Sequence, residues 1–161
     1  QDIIRRIAEM SKLPEFEGRI LLIEGYDLNL SRSLVSGVDV WLNNPIYPLE
    51  ASGTSGMKAA INGALNLSVL DGWWAEAYDG SNGWAIDGRE DADRQAQDWR
   101  DAHAMFDLHE QVVVPMFHER DADGVPQRWV AMMRRSLMTH GPRFSATRML
   151  REYAERVYRR G

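Results

Sequence analysis

The residues best suited to chemistry lie together in residues 50–58, which read Glu-Ala-Ser-Gly-Thr-Ser-Gly-Met-Lys. Glycine tolerates backbone dihedrals that other residues avoid, and it lets a ligand approach the main chain closely. If a helix begins near Thr54 or Ser55, its first amides lack intrahelical acceptors and, with the helix dipole, can bind an anion. The segment therefore predicts an anion site, with the Lys58 amine within about one helical turn of it.

Lys58 is one of two lysines in the chain, the other being Lys12, whereas arginine occurs seventeen times. A guanidinium stays charged, but a lysine amine can lose its proton and attack a carbonyl to form an imine. A lysine in this position taken alone is best interpreted as solvated. The neighbouring glycines and hydroxyls instead favour a functional amine.

Two common motifs do not fit this segment. The phosphate loop of nucleotide hydrolases requires Gly-x-x-x-x-Gly-Lys-Ser/Thr, but here Gly53 and Gly56 are too close and Met57 separates glycine from lysine. The serine nucleophile elbow requires Gly-x-Ser-x-Gly, and Met57 occupies its last position. Neither a nucleotide hydrolase nor a serine hydrolase of these types is therefore indicated.

The elements around the segment must place it at the edge of a sheet. Residues 19–24 form a nearly continuous apolar run, typical of a strand covered on both faces, and a helix fits residues 28–36. Residues 38–42 and 65–70 predict two further strands. Alternating strands and helices indicate a parallel sheet, whose ligands bind at the carboxyl ends of the strands. Residues 50–58 follow the second strand at such an end.

Residues 71–88 contain three tryptophans and little periodicity, and they predict a loop packed by its aromatic side chains. Such tryptophans usually fill core space. Sugar stacking by Trp73, Trp74 or Trp84 is the alternative.

From residue 89 onward the apolar spacing is helical. We expect Pro115 to kink or end one helix and a break at residues 141–142, and Ser145 to cap the last helix. We therefore predict a Rossmann-like α/β portion at 1–88 and a helical region at 89–161, both within a larger catalytic domain.

Composition excludes several classes of protein. The net charge of −5 argues against a nucleic-acid surface. The absence of cysteine excludes disulfides and fits a cytoplasmic protein. No apolar run approaches the roughly 20 residues needed to span a bilayer, so we expect no membrane partner. The first residue is not methionine and the start does not resemble a signal peptide, so we interpret the chain as a fragment.

The titratable side chains indicate no metal site. The four histidines show no ligand spacing. The aspartates at 91, 93, 98 and 101 are typical of charges at a helix start. Glu50 lies in the glycine-rich segment, where a carboxylate either binds sugar hydroxyls or caps the amides of the following helix.

A resemblance to a known family rests on these residues. Residues 50–58, with Asn-Gly-Ala-Leu at 62–65 and Leu-Asp-Gly at 70–72, resemble the pyridoxal-phosphate segment of the glycogen and α-glucan phosphorylases. Gly-Thr-Ser-Gly-Met-Lys at 53–58, followed by Asp-Gly-Trp-Trp at 71–74 and Asn-Gly-Trp at 82–84, is similar to the shorter α-glucan phosphorylase branch. The resemblance covers most of the chain.

The resemblance implies roles for individual residues within a two-domain glycosyltransferase fold of the B type. Lys58 would carry pyridoxal 5'-phosphate covalently. Donors at Thr54, Ser55 and Gly56 would lie near the cofactor phosphate, Tyr26 would line the cofactor site, and Glu50, Ser52 and Gly53 would hold the glucosyl unit. Asp27 departs from the pattern, because animal-type members have a phosphate-binding arginine there.

The resemblance also implies a reaction. A pyridoxal-phosphate-dependent glycosyltransferase would move the terminal α-1,4-linked glucosyl unit of a glucan to inorganic phosphate, giving glucose 1-phosphate. Further cations and glycines of the family site lie outside these residues, in the missing N-terminal portion, so we expect the chain alone to be inactive. Its small sheet should expose an edge and allow self-association.

Two other functions remain open. A sugar-nucleotide glucosyltransferase of the same architecture would use a similar loop without a reactive amine. A non-catalytic glucan-binding module would instead use the tryptophans.

Overall fold

The computed structural model describes residues 2–159 of the chain, which divides into two units, Gln1–Ser33 and Leu34–Gly161. The first unit opens with helix α1, Asp2–Met10, and continues in turns. The helix matches the apolar spacing of the sequence and ends before Pro14, which cannot continue it. Ile3 and Ile4 on this helix are mostly exposed.

Residues 19–24 do not form the predicted strand. Arg19 and Ile20 donate their backbone N–H groups to the Phe16 carbonyl at 2.9 and 3.1 Å, which makes a turn. Leu21 and Ile23 are 73% and 50% exposed. The prediction is wrong because an apolar run becomes a strand only beside a partner, and the described part of this unit contains no strand.

Helix α2, Leu28–Gly37, agrees with the predicted helix at 28–36. Its start is fixed by Asp27, whose side chain accepts a hydrogen bond from the Leu30 N–H at 2.8 Å. The residue that departs from the phosphorylase pattern therefore has a local role in this structure.

The second unit is built on a three-stranded parallel sheet. Its strands are β1, Val40–Asn43, β2, Leu65–Val69, and β3, Gly83–Ile86, in the order β1-β2-β3. The strands predicted at 38–42 and 65–70 are confirmed as β1 and β2. The parallel α/β class is confirmed as well.

The loop predicted at residues 71–88 is wrong. This stretch forms helix α4, Gly72–Ala77, and strand β3. β3 pairs with β2 along its whole length, from Asn66↔Gly83 to Val69↔Ile86. Four residues are too few for a strand pattern to stand out beside glycine and asparagine.

The second unit contains further helical elements. They are α3, Thr54–Ile61; α5, Arg94–Leu108; a π-helical segment, His109–Val113; α6, Val114–His118; α7, Gln127–Arg143; α8, Ala146–Tyr153; and a second π-helical segment, Ala154–Tyr158. Among them, α3, α5 and α7 contact the sheet.

Two predictions about these helices have opposite outcomes. Ser145 caps α8 as predicted, because its Oγ accepts from the Arg148 N–H at 3.2 Å. The break predicted at 141–142 is wrong, because α7 continues through Pro142 to Arg143. Pro142 has no N–H, so the helix lacks only the hydrogen bond to the Met138 carbonyl. This carbonyl lies in the last turn of the helix, where Met138 is 70% exposed.

The core lies on both faces of β2, whose five residues are all buried. One face packs against α6 and α7, with the members Leu65, Leu67, Val69, Trp84, Ile86, Val113, Met116 and Trp129. A second cluster joins α3 to α4 through Ala60, Trp73, Trp74 and Ala77. Because both faces are covered, the carboxyl ends of the strands are held in fixed positions for the segment at 50–58.

Candidate functional site

The predicted site segment lies at the carboxyl end of the sheet, as expected. The Glu50 N–H donates to Asp71 Oδ2 at 2.9 Å, and Asp71 lies two residues after the end of β2. The Trp73 N–H donates to the Ser52 carbonyl at 2.8 Å. Two backbone groups of the segment are therefore tied to the stretch that leaves β2.

Asp71 joins the site segment to α4. Its Oδ1 accepts from the Gly72 N–H at 2.8 Å, while Oδ2 holds Glu50. Gly72 has φ 51°, and a Cβ there would lie 2.7 Å from the Ser52 carbonyl oxygen. Only glycine therefore fits beside the segment at this position. Sequence reasoning missed this role of Asp71, although a carboxylate directly after a strand and before a helix is a capping signal.

Trp73 packs against the two glycines of the segment. Gly53 has φ 81°, and a Cβ there would lie 3.1 Å from Trp73 Cδ1. A Cβ on Gly56 would lie 2.9 Å from Trp73 Nε1 and 2.7 Å from Asn66 Oδ1. The two glycines are thus required by close packing against Trp73 and Asn66. Gly53 also supplies the left-handed turn that leads into α3.

The tryptophans are core residues. Trp73, Trp74 and Trp84 are 4%, 0% and 5% exposed. Trp74 Nε1 donates to the Trp84 carbonyl at 3.1 Å. Burial leaves almost no ring surface of these three residues for stacking on a sugar, which disfavours the alternative of sugar stacking.

The start of α3 presents donors. Thr54 and Ser55 are its first two residues, so their N–H groups have no acceptor within the helix. The Gly56 N–H is already used, because it donates to the Gly53 carbonyl at 3.1 Å. Thr54 is exposed and Ser55 is half-buried. This end of the helix can receive an anion.

Lys58 is the fifth residue of α3, and its side chain is exposed. It borders a cavity of about 210 Å³, here called the Lys58 cavity, whose walls are Thr54, Met57, Lys58, Ile61, Trp73, His140 and Phe144. Within residues 2–159, no carboxylate forms an ion pair with Lys58. The amine is therefore available for a ligand.

Glu50 and Ser52 are half-buried beside this helix start. The backbone of each is anchored as described above. Within residues 2–159, no ion pair uses the Glu50 carboxylate. Gly53 occupies the N-cap position of α3 and has no side chain that could cap the helix. The arrangement leaves the carboxylate free to accept hydrogen bonds from a ligand.

Tyr26 is the one predicted site residue that belongs to the first unit. Its hydroxyl donates to Ser31 Oγ at 3.0 Å, and the residue is 65% exposed. The other predicted residues all lie in the second unit, and they are Glu50, Ser52, Gly53, Thr54, Ser55, Gly56 and Lys58.

A second cavity, of about 180 Å³, lies where β2 and β3 end, and Asp98 and Asp101 contribute to its lining. Burial raises the pKa of Asp101, the charges of Asp98 and Asp87 add to the rise, and Arg100 opposes it. The interpretation of all four aspartates as helix-start charges is wrong for 98 and 101, which lie inside α5. It holds for Asp93, which accepts from the Gln95 N–H at 2.9 Å.

Metal and membrane features were also sought among residues 2–159. This part of the chain holds no group of three or more histidine, cysteine or carboxylate side chains arranged for a metal ion. None of its helices combines the length and apolarity that crossing a bilayer requires.

Comparison with known proteins gives matches over nearly the whole chain. A glycogen phosphorylase of Mycobacterium bovis is 51% identical over 157 residues, which are 97% of this chain and 18% of that protein. A glycogen phosphorylase of Aquifex aeolicus is 50% identical, with 97% of this chain and 22% of the relative covered. A maltodextrin phosphorylase of Thermococcus litoralis is 47% identical over 159 residues, which are 98% of this chain and 18% of that protein.

The chain thus spans about a fifth of the length of these curated relatives. No family model matches it.

Proposed function

We propose that this chain, which is about 50% identical over nearly its whole length to glycogen and maltodextrin phosphorylases, is the C-terminal part of an α-glucan phosphorylase. The complete enzyme transfers terminal α-1,4-linked glucosyl units to inorganic phosphate and releases glucose 1-phosphate. One observation carries the proposal: the helix that begins with unpaired amides at the carboxyl edge of a parallel sheet also presents the Lys58 amine beside a cavity.

Pyridoxal 5'-phosphate is the cofactor that we assign to this site, because the donors present suit an aldehyde that carries a phosphate. Lys58 would bind it covalently through an amine that no carboxylate of residues 2–159 pairs with. The N–H groups and hydroxyls of Thr54 and Ser55 would receive the phosphate, at the positive end of the helix dipole, with Gly56 beside them. When bound, the cofactor supplies a phosphate with a second pKa near 6, suited to proton exchange near neutral pH.

Glu50, Ser52 and Gly53 are the residues that we assign to the glucosyl unit. Asp71 and Trp73 fix the main chain at Glu50 and Ser52, so these side chains are held in place while their polar atoms stay available. A carboxylate held in this way can accept hydrogen bonds from sugar hydroxyls with little loss of conformational entropy on binding.

A complete site for the cofactor and substrates needs more lining residues than this chain provides. The Lys58 cavity measures about 210 Å³, below the roughly 300–1,000 Å³ of ordinary ligand pockets. Among its lining residues, Lys58 is the only lysine or arginine. A site that gathers two phosphates needs further positive charge. We therefore propose that Tyr26 and the upstream portion complete it, in a two-domain fold of the B type located in the cytoplasm.

Residues 1–88 and 89–161 then form parts of one catalytic domain. The 161-residue chain alone should give no glucose 1-phosphate when it is incubated with glucan and phosphate. Turnover close to that of the full-length protein would contradict this expectation. The free edges of β1 and β3 should also promote self-association, which sedimentation can measure.

The test of the cofactor assignment uses the full-length protein. Borohydride reduction in the presence of pyridoxal 5'-phosphate, followed by peptide mapping, should place the label on Lys58. Lys12, the other lysine of this chain, is an internal control for non-specific labelling, and Lys58→Arg keeps the charge without an imine-forming amine.

Absence of the label, or equal labelling of both lysines, would contradict the assignment. It would favour a sugar-nucleotide glucosyltransferase of the same architecture. A glucan-binding module is disfavoured by the burial of the three tryptophans.

A further inference from the structure

Trp73 links the predicted site to α7. Its ring packs beneath Gly53 and Gly56. It also meets the His140 ring edge-on at a centroid distance of 5.1 Å and the Phe144 ring at 5.3 Å. His140 is 1% exposed and lies near the end of α7. A displacement of His140 would therefore reach the site segment through one aromatic side chain.

The orientation of the Asn82 amide is fixed by the main chain. Asn82 Oδ1 accepts from the Asp79 N–H at 3.1 Å, and its Nδ2 donates to the Ala77 carbonyl at 2.9 Å. The two backbone partners allow only one assignment of oxygen and nitrogen. The Asn82 Nδ2 group, 3.0 Å from His140 Nε2, is therefore a donor.

Asn82 Nδ2 also lies 3.2 Å from Thr139 Oγ1, so its two hydrogens have three neighbouring acceptors. With Nε2 taking one of these hydrogens, His140 is neutral and its proton lies on Nδ1. Nε2 accepts from Asn82, so Nδ1 carries the hydrogen and donates to Ser136 Oγ at 3.1 Å. Asn82 is 0% exposed and Ser136 is 0% exposed. The ring is thus held on both sides by buried groups, one on the turn that follows α4 and one on α7 itself.

We infer that His140, as a neutral imidazole held between Asn82 and Ser136, is a positioning residue that keeps the Trp73 ring beneath the turn at Gly53–Gly56. This rests on the proposed function only in that it names the turn as the cofactor and glucosyl site. The contacts themselves do not depend on that assignment.

Protonation of His140 should loosen the arrangement. A second hydrogen on Nε2 would face the Asn82 amide hydrogens, and the amide cannot rotate without losing both backbone partners. Burial lowers the pKa of His140 below its ordinary 6.5, the Ala77 carbonyl and Asp79 raise it, and Arg143 lowers it further.

Other charged groups face the ring as well. Lys58 borders the same cavity from α3, and Asp79 is itself paired with Arg135 at 2.8 Å. The aromatic neighbours on α4, Trp73 and Trp74, carry no charge. Stability linked to His140 is therefore complete above pH 6.5 and decreases as the pH falls through the folded-state pKa.

The test measures backbone hydrogen exchange of residues 52–58 in the cofactor-free full-length protein, so it does not depend on activity. The pH is lowered from about 7.5 to about 5, and the rates are corrected for intrinsic exchange. In the unaltered protein, exchange of this segment should accelerate about tenfold on acidification, as for the loss of one buried hydrogen bond.

His140→Gln should remove this pH response while keeping protection, because its Oε1 can accept from Asn82 and the side chain does not titrate. His140→Phe should expose the segment at both pH values. His118→Gln, at an exposed histidine, should leave the pH response intact.

A parallel loss of protection in the unaltered protein and in His140→Gln would overturn the inference, as would unchanged protection in His140→Phe. If the Phe variant does not fold, the comparison with Gln decides. Failure of Lys58 labelling would instead contradict only the proposed function.

Discussion

Two stretches that both predict strands have opposite outcomes in this chain. The five residues of β2 are all buried, whereas Leu21, Leu22 and Ile23 are 73%, 46% and 50% exposed. The difference is the supply of partners. β2 has a parallel strand on each side, with Val40↔Leu65 and Asn66↔Gly83 among the pairs. An apolar stretch is buried only where neighbouring elements of the same unit cover it. The site segment is attached to β2, which has such neighbours.

The largest expected contrast between the regions comes from side-chain truncation. Trp74→Ala should cost this chain about 3–5 kcal/mol, because it empties a fully buried site and leaves the Trp84 carbonyl without its donor. Leu21→Ala, at a 73% exposed residue, should cost under about 0.5 kcal/mol. Denaturant unfolding followed by tryptophan fluorescence measures both. Equal costs would show that residues 19–24 are packed in solution.

A second contrast uses the same substitution at two glycines with positive φ. Gly72→Ala should cost about 2–4 kcal/mol, because its Cβ would collide with the Ser52 carbonyl in addition to the backbone strain. Gly18→Ala, with φ 73° and open space around it, should cost only the strain, about 1–2 kcal/mol. Thermal unfolding compares the variants, and a smaller cost at Gly72 would contradict the close packing beneath the segment.

Asp71→Ala should cost about 1–2 kcal/mol, because it removes the cap of α4 and the acceptor of the Glu50 N–H. It should also speed hydrogen exchange at residues 50–53. Asp93→Ala removes the cap of α5 and is the matched control, with a similar loss of stability. If the control speeds exchange at 50–53 equally, Asp71 does not anchor the segment specifically.

The smallest effect should come from Asp101→Asn. Burial raises the pKa of this carboxyl, so its stabilising contribution exists below pH 3.8 and is lost as the pH rises through the folded-state pKa. The variant should therefore be more stable than the unaltered protein at neutral pH, with a gain that disappears in acid.

Asp91→Asn is the control of opposite sign for this pH series. The hydrogen bond from the Asp93 N–H lowers the pKa of Asp91, burial opposes this shift, and Arg100 lowers the pKa further. Its contribution is thus present above pH 3.8 and lost as the pH falls. The Asn variant should be less stable at neutral pH in thermal unfolding, and a gain in stability would contradict the assigned hydrogen bonds.

Sequence patterns predicted the parts of the fold that depend on local chemistry. The alternation at 65–70, the glycine-rich start of α3 and the cap at Ser145 each follow from neighbouring residues. Sequence patterns failed where residues distant along the chain determine the local structure. β3 exists because β2 lies beside it, and residues 19–24 lack such a strand.

The residues of the candidate site also divide into those that the sequence predicted and those that it did not. Residues 50–58 were identified by composition and spacing, and the structure holds them together. The supports at Asp71, Trp73 and His140 act through contacts between separate elements, which spacing along one element cannot show.

The π-helical segment at His109–Val113 sets the rotation of α6 about its own axis. The Val114 N–H donates to the His109 carbonyl, five residues earlier, so the turn holds one residue more than an α-helical turn. Pro115, which has no N–H to donate, comes directly after this widened turn. The additional residue turns the subsequent side chains by about 100°, and Met116 is buried together with Val113. Shortening this turn by one residue should therefore rotate the Met116 side chain away from the sheet and expose it.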